Sequence, residues 1–251
     1  MPAYQPDRSL AGKLRRRLVR IMARRPLATQ PPGPMLSISF DDAPLTAAVA
    51  GAALLEVRGL AGTYYVSAGL CGTEAPMGRC AEPVDYQRLA RAGHEIACHT
   101  ASHLDCGQAS GTRALADVEE NARAFAGWNL PPPTSFAYPY GDVASGPKQA
   151  LASRYSTLRA LHHGVIAKGT DLNQTPAVGI EGPDGEAVAR HWLNQAKVQQ
   201  AWLILYTHDV APEPSQWGCT PDALARLLDQ AVLEGFQIVT VAEGARRLGI
   251  V

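Results

Sequence analysis

The feature that most constrains this chain is a regular alternation. Short apolar runs rich in β-branched and aromatic residues take turns with longer stretches patterned at helical spacing. The runs at 35–40, 63–67, 95–99, 135–138, 155–158, 202–207 and 237–241 read as strands. The stretches at 46–57, 85–92, 112–128, 147–153, 185–199, 221–233 and 242–248 read as helices. Such alternation predicts right-handed β-α units built on a parallel sheet, and so an α/β fold. At 251 residues, with 46% hydrophobic and 18% charged residues, the chain can bury one large core, as barrel-type α/β domains do. A parallel barrel places its functional residues at the carboxyl ends of its strands, and the candidates below lie there.

Two segments carry chemistry. Asp41 and Asp42 close the first apolar run, and His99 and His103 are spaced one helical turn apart, so that both imidazoles can face one point. One carboxylate and two imidazoles form a three-ligand set that leaves a zinc-type ion an open position for water. The second carboxylate is then free to take a proton. Taken singly, an Asp-Asp pair reads as a turn or helix start and His-x-x-x-His as a solvated helix face. The combination carries the signal. Downstream stand Phe136-Ala137-Tyr138-Pro139-Tyr140-Gly141-Asp142 and an apolar run, 202–207, ending before His208-Asp209.

The order of these four motifs resembles the NodB-homology polysaccharide deacetylases (carbohydrate esterase family 4) over roughly residues 35–248. The resemblance implies a distorted, incomplete (β/α)7 barrel that removes N-acetyl groups from N-acetylhexosamine units of a glycan. It also implies roles. Asp42, His99 and His103 hold one divalent metal ion, Zn2+ first, with Co2+ and Mn2+ also suited to such a site. Asp41 is the base and His208 the acid that protonates the leaving nitrogen. Pro139 and Tyr140 form a turn whose Tyr140 backbone N–H faces the oxyanion, and Leu205 floors the pocket for the acetyl methyl. Related readings on the same scaffold are an O-acetyl esterase, an amidase on a non-sugar substrate, and a silent glycan-binding barrel.

The chain departs from the family pattern at two places. Many members carry, two residues before the motif's Pro, an Arg that orients the catalytic Asp; here that place is Ala137. Arg159 is the candidate substitute, with Tyr138 the alternative. The acidic partner of the late His has no clear counterpart, and Asp171 is the nearest candidate. Of the other histidines, His94 reads as a satisfied or surface residue and His191 as solvated. His162 and His163 are conceivable substrate contacts.

Charge divides the chain. Residues 1–34 hold eight Lys and Arg against one acid, leaving fifteen against twenty-two in residues 35–251. The first segment reads as a basic amphipathic arm, with Leu10, Leu14, Leu18 and Ile21 on one side, ended by Pro26 and a Pro-rich linker. Residues 35–251 read as the catalytic domain. The arm either packs on the barrel or a second subunit, giving a homo-oligomer, or lies through residues 8–25 on an anionic membrane leaflet. An acetylated glycan is the expected partner, and nucleic acid is not. No 7–15-residue uninterrupted apolar stretch opens the chain and none nears the ~18–20 residues of a membrane span, so a cytoplasmic placement is expected. The five cysteines lack C-x-x-C spacing and read as thiols.

Overall fold

The computed structural model describes residues 10–250. Helix α1 (Leu10–Val19) precedes strand β1 (Met35–Asp41), and a π-helical stretch, Ala47–Gly51, runs into α2 (Ala52–Glu56). Then come β2 (Thr63–Val66), a small hairpin of β3 (Glu74–Ala75) and β4 (Gly78–Arg79), α3 (Pro83–Arg91) and β5 (Glu95–Cys98). Helix α4 (Gly111–Gly127), β6 (Ser135–Ala137), α5 (Ser145–Leu151), β7 (Thr157–Arg159) and β8 (Val178–Gly179) follow. The chain finishes with α6 (Gly185–Gln199), β9 (Trp202–Thr207), α7 (Pro221–Leu233), β10 (Gln237–Ile238) and α8 (Val241–Arg247).

The main sheet is parallel throughout, in the order β7-β6-β5-β2-β1-β9-β8, with β10 pairing the start of β1. Its edges approach through an irregular segment: the Leu158 N–H donates to Leu172 O, and the Thr175 N–H to Leu158 O. The expected distorted, incomplete (β/α)7 barrel is the fold. Sequence reading missed β8 and the β3–β4 hairpin because two-residue strands carry no periodicity. It also placed a strand at 155–158 where β7 runs to Arg159, a shift that matters below.

Period two in β1 sorts its side chains. Leu36, Ile38 and Phe40 join the core under the helices, where Phe40 stacks on Tyr64 with centroids 4.7 Å apart. Ser37, Ser39 and Asp41 take the opposite face. Helix starts follow from caps: the Ser110, Thr220 and Thr240 hydroxyls accept from the N–H groups of Arg113, Ala223 and Glu243.

The N-terminal segment departs from its expected form. Its helix ends at Val19, not near Pro26, because Ala23 turns at φ 46° and the following residues bond along the barrel. The Arg25 N–H donates to Asp171 Oδ1 (2.9 Å), Asn173 Nδ2 to Ala23 O (2.7 Å) and the Leu27 N–H to Thr170 O (2.8 Å). Val19 and Leu27 are buried, whereas Leu18, Ile21 and Met22 are exposed. The Leu10 and Leu14 side chains, and residues 1–9, lie outside what is described. Among the described residues, no helix is long and apolar enough to cross a membrane.

Candidate active site

A cavity of about 500 Å³ opens at the carboxyl ends of the strands and is lined by Asp41, Asp42, His99, His103, Tyr140 and His208, among others. Asp42, His99 and His103 are buried and offer ligand atoms that all lie within 4.8 Å of one another. Asp42 Oδ1 is 3.2 Å from His103 Nε2 and 3.8 Å from His99 Nε2. The expected helical turn between the histidines is absent. Residues 99–103 form a loop in which Thr100 (φ 62°) and His103 (φ 54°) are left-handed. The imidazoles converge through that conformation.

Backbone strain is concentrated here. Asp42 (φ 56°), Ala43 (φ 43°) and Tyr140 (φ 60°) are also left-handed. Non-glycine residues adopt this region only where surroundings enforce it, at about 1–3 kcal/mol each. The enforcing group for the histidine loop is Asp117 on α4, which sequence reading passed over. Its buried carboxylate accepts from the Ala101 N–H (2.7 Å), the Ser102 N–H (2.9 Å) and Ser102 Oγ (2.7 Å). Ser67 Oγ donates to His99 O at 2.7 Å, and the Leu104 N–H donates to Thr100 Oγ1 at 2.8 Å. An acid one position before Val118 on a helix reads as an ordinary solvated residue, so only the fold reveals its partners.

The donor set fits a divalent cation. His99 Nδ1 is 2.8 Å from Ala137 O; a carbonyl can only accept, so Nδ1 carries the proton and Nε2 presents its lone pair to Asp42. Asp42 Oδ1 is buried with no hydrogen bond. Burial raises the Asp42 carboxyl above its ordinary value, with the Asp41 charge adding to it. Burial also holds both imidazoles neutral, at about 4. Neutral imidazoles are the ligating form.

Asp41 faces a different partner. Arg159 Nη2 lies 2.7 and 2.6 Å from its two carboxylate oxygens, and the guanidinium is completely buried between the rings of Tyr65 (4.9 Å) and Tyr206 (5.2 Å). Burial works to raise the Asp41 carboxyl, but the Arg159 charge outweighs it with the help of the nearby imidazoles and keeps it below its ordinary value. Arg159 is the register partner of Ala137 on the adjacent strand, so the cation comes from β7 rather than β6. Tyr138, the alternative orienting group, instead donates its hydroxyl to Asn173 O (3.1 Å).

His208 pairs with Glu181, not Asp171. Its Nδ1 is 3.0 Å from Glu181 Oε1, which as an acceptor assigns the proton to Nδ1. Burial works against the imidazolium, but the Glu181 hydrogen bond and the Asp41 and Asp42 charges raise it to about 9. Asp171 is occupied elsewhere: it lies 2.6 Å from Lys148 Nζ and caps the turn at Asn173. Glu181 follows β8, the strand too short to read, which is why its role was hidden.

Other expectations divide. Tyr140 lines the cavity, its ring edge-on to His103 at 4.5 Å. Pro139 is buried at the start of the turn, and Gly141 is required there: at φ 69° a Cβ would collide with the Leu161 side chain. Leu205 does not floor the pocket. The alternation of β9 sends it into the core under the helices and turns Tyr206 toward the cavity, where Leu161, Met77 and Trp217 supply the apolar surface. The Trp217 loop is tied to the site by the His208 N–H, which donates to Trp217 O at 3.0 Å. His94 is a satisfied structural residue, bonded to the Gly62 N–H and to Glu56.

A family model described as polysaccharide deacetylase matches residues 28–155. The peptidoglycan-N-acetylglucosamine deacetylase of Bacillus cereus is 27% identical over 162 residues, 64% of this chain and 68% of that protein. Among solved structures, the chitin deacetylase of Colletotrichum lindemuthianum superposes with a TM-score of 0.59 at 17% identity, covering 86% of this chain and 89% of that one. A family 4 acetyl xylan esterase from Clostridium thermocellum, in complex with a cobalt ion, gives 0.57 at 20% identity, covering 83% and 89%. At these identities the two structures speak for the fold.

Proposed function

Because the chain belongs to the polysaccharide deacetylase family, we propose that it hydrolyses N-acetyl groups on N-acetylhexosamine units, N-acetylglucosamine first, of an exopolysaccharide or its lipid-linked precursor. One observation carries this reading. A single cavity holds a metal-fitting triad, a carboxylate paired to a buried guanidinium, and a histidine paired to a carboxylate. The curated relative, named for the same sugar, supports the choice of N-acetylglucosamine.

Asp42, His99 and His103 would hold the divalent ion, zinc, cobalt or manganese, which supplies Lewis acidity toward water and the acetyl carbonyl. Asp41 takes a proton from the attacking water, and Arg159 keeps that carboxylate ionised and fixed in direction. The Tyr140 backbone N–H is assigned to the carbonyl oxygen as negative charge develops on it. His208, its Nδ1 held by Glu181, delivers a proton from Nε2 to the amine nitrogen as the C–N bond breaks, releasing acetate and the free amine. Tyr206, Leu161 and Trp217 give the acetyl methyl an apolar surface.

The test is release of primary amines from an acetylated chito-oligosaccharide, with and without a chelator, alongside an O-acetylated xylan. Amine release abolished by the chelator and restored by metal is expected. Ester cleavage alone would make the protein an O-acetyl esterase, and neither activity would leave a silent glycan-binding barrel.

The exposed Leu18, Ile21 and Met22 beside Arg17, Arg20 and Arg24 support contact of residues 8–25 with an anionic membrane surface. Co-sedimentation with anionic vesicles should weaken as salt rises. Negligible binding at low salt would assign the arm to packing on the barrel or to a homo-oligomer contact.

A further inference from the structure

The arginines of the N-terminal segment fall into two groups. Arg15 and Arg25 fasten the segment to the barrel: Arg15 reaches Gly107 O and Asp142, and Arg25 Nη2 donates to Tyr155 O (2.8 Å) and Ser156 O (2.5 Å). Among the described residues, Arg20 and Arg24 pair with no acid. Among the described residues, Arg20 makes no ion pair or side-chain hydrogen bond, and Arg24 uses only one nitrogen, toward Gly169 O (2.9 Å). Both line a second cavity, of about 290 Å³, between the arm and the loop after β7, together with His162, His163 and Gln174.

Among the described residues its charge is uncompensated. The one acid in the wall, Asp171, is satisfied by Lys148 Nζ at 2.6 Å and by the Arg25 and Asn173 N–H groups. Two guanidinium groups therefore remain against no free carboxylate among the described lining residues, beside residues 35–251, which are net acidic. Burial, then the Arg20 charge, lowers the His162 imidazole to about 4, so it meets a ligand as a neutral hydrogen-bonding group. The position is informative as well. Leu161, the residue before His162, lines the catalytic cavity, so consecutive residues of one turn serve the two cavities.

We propose that this second cavity binds a phosphate-class anion, a phosphomonoester or diphosphate, through Arg20 and Arg24 with His162 and His163 as supporting hydrogen-bonding groups. Paired guanidinium groups offer the forked donor geometry that phosphate oxygens accept, at a strength that isolated surface charges lack. The anion is either the phosphate of a membrane lipid or that of a soluble ester. The site does not depend on the deacetylation reading, since binding needs no turnover.

The experiment titrates inorganic diphosphate into the full chain by calorimetry. Saturable binding is expected, weakened at least about tenfold in Arg20→Ala/Arg24→Ala, which removes two charge-assisted contacts. Arg20→Glu, at an exposed position whose side chain has no partner among the described residues, keeps the fold and should weaken binding further. Its rate on an uncharged acetylated oligosaccharide should match the parent. Displacement of diphosphate by phosphatidate vesicles, but not phosphatidylcholine vesicles, upholds the site and assigns it to lipid phosphate. Diphosphate binding without such displacement upholds it for a soluble ester. Absence of saturable binding in the millimolar range, or equal affinity in all three proteins, overturns the proposal.

Discussion

Arg159→Met is the most informative single perturbation of this molecule. It is close to isosteric along the side-chain stem and removes the charge beneath Asp41, leaving a buried carboxylate with no counter-ion. The guanidinium is completely buried and its partner nearly so, with contacts of 2.6 and 2.7 Å. Removing one member of such a pair costs about 3–5 kcal/mol, because the remaining charge stays desolvated. For a domain of this size each kcal/mol corresponds to about 2–4 °C, so the melting temperature should fall by about 6–20 °C. Asp41→Asn should cost a comparable amount by stranding the arginine. The double variant should lose much less than the sum, with a coupling of several kcal/mol in a cycle read by chemical denaturation. Activity reports separately: without Arg159 burial protonates Asp41 more readily, so the acid limb of the rate profile moves to higher pH. Moving the cation back one strand, in Arg159→Ala with Ala137→Arg, should recover part of the rate. If Arg159→Met costs under about 1 kcal/mol and the cycle is additive, the pair is not what fixes Asp41.

Three further outcomes follow from the same geometry. Asp117→Asn keeps its shape but weakens the acceptor of three loop hydrogen bonds; metal affinity should drop about 10–100-fold by competition with a chromogenic chelator, with circular dichroism unchanged. His103→Ala should lose stoichiometric metal by elemental analysis, whereas Asp41→Asn should retain it and lose about 10²–10⁴ in rate; a metal-free Asp41→Asn protein would reverse the roles of the two aspartates. The His208 imidazolium, raised to about 9 by Glu181 and the site carboxylates, stays protonated at neutral pH and loses its proton as pH rises through that value. Glu181→Gln removes the anion, so the alkaline fall in rate should move to lower pH, and an unmoved limb would detach His208 from it.

The sequence made legible those parts that rest on long or strongly typed signals. Seven strand runs and seven helices were readable, and α7 matches its expected bounds because Thr220-Pro221 opens it unambiguously. The metal-fitting triad was readable because its residue types are rare together, although the loop joining the histidines is left-handed rather than helical. What escaped depends on side chains meeting across the fold. Glu181 follows a two-residue strand, Asp117 looks like any helix-surface acid, and Trp217 lies in an irregular loop. Leu205 is expected at the pocket floor but faces the core, because 202–207 is almost wholly apolar and a run buried on both faces gives no alternation to read.

The arginine shows why motif position and site geometry are separate constraints. Adjacent parallel strands lie about 4.8 Å apart, a distance an arginine stem covers easily. Ala137 and Arg159 are register neighbours, so a guanidinium rooted on either can reach the mouth of β1. Reaching it from β7 requires space over β6, and that space is present: Ala97 and Ala137 are the small residues that share a buried cluster with Tyr65, over whose ring Arg159 lies. A large side chain at 137 would close the path. Ala137 is therefore not a vacancy in the motif but the condition for its replacement, and its carbonyl keeps a second task in accepting the Nδ1 proton of His99. Both groups that set the chemistry, the base and a metal-facing imidazole, are thus oriented through the same pair of neighbouring strands. A change that shifts the β6–β7 register should disturb the two together.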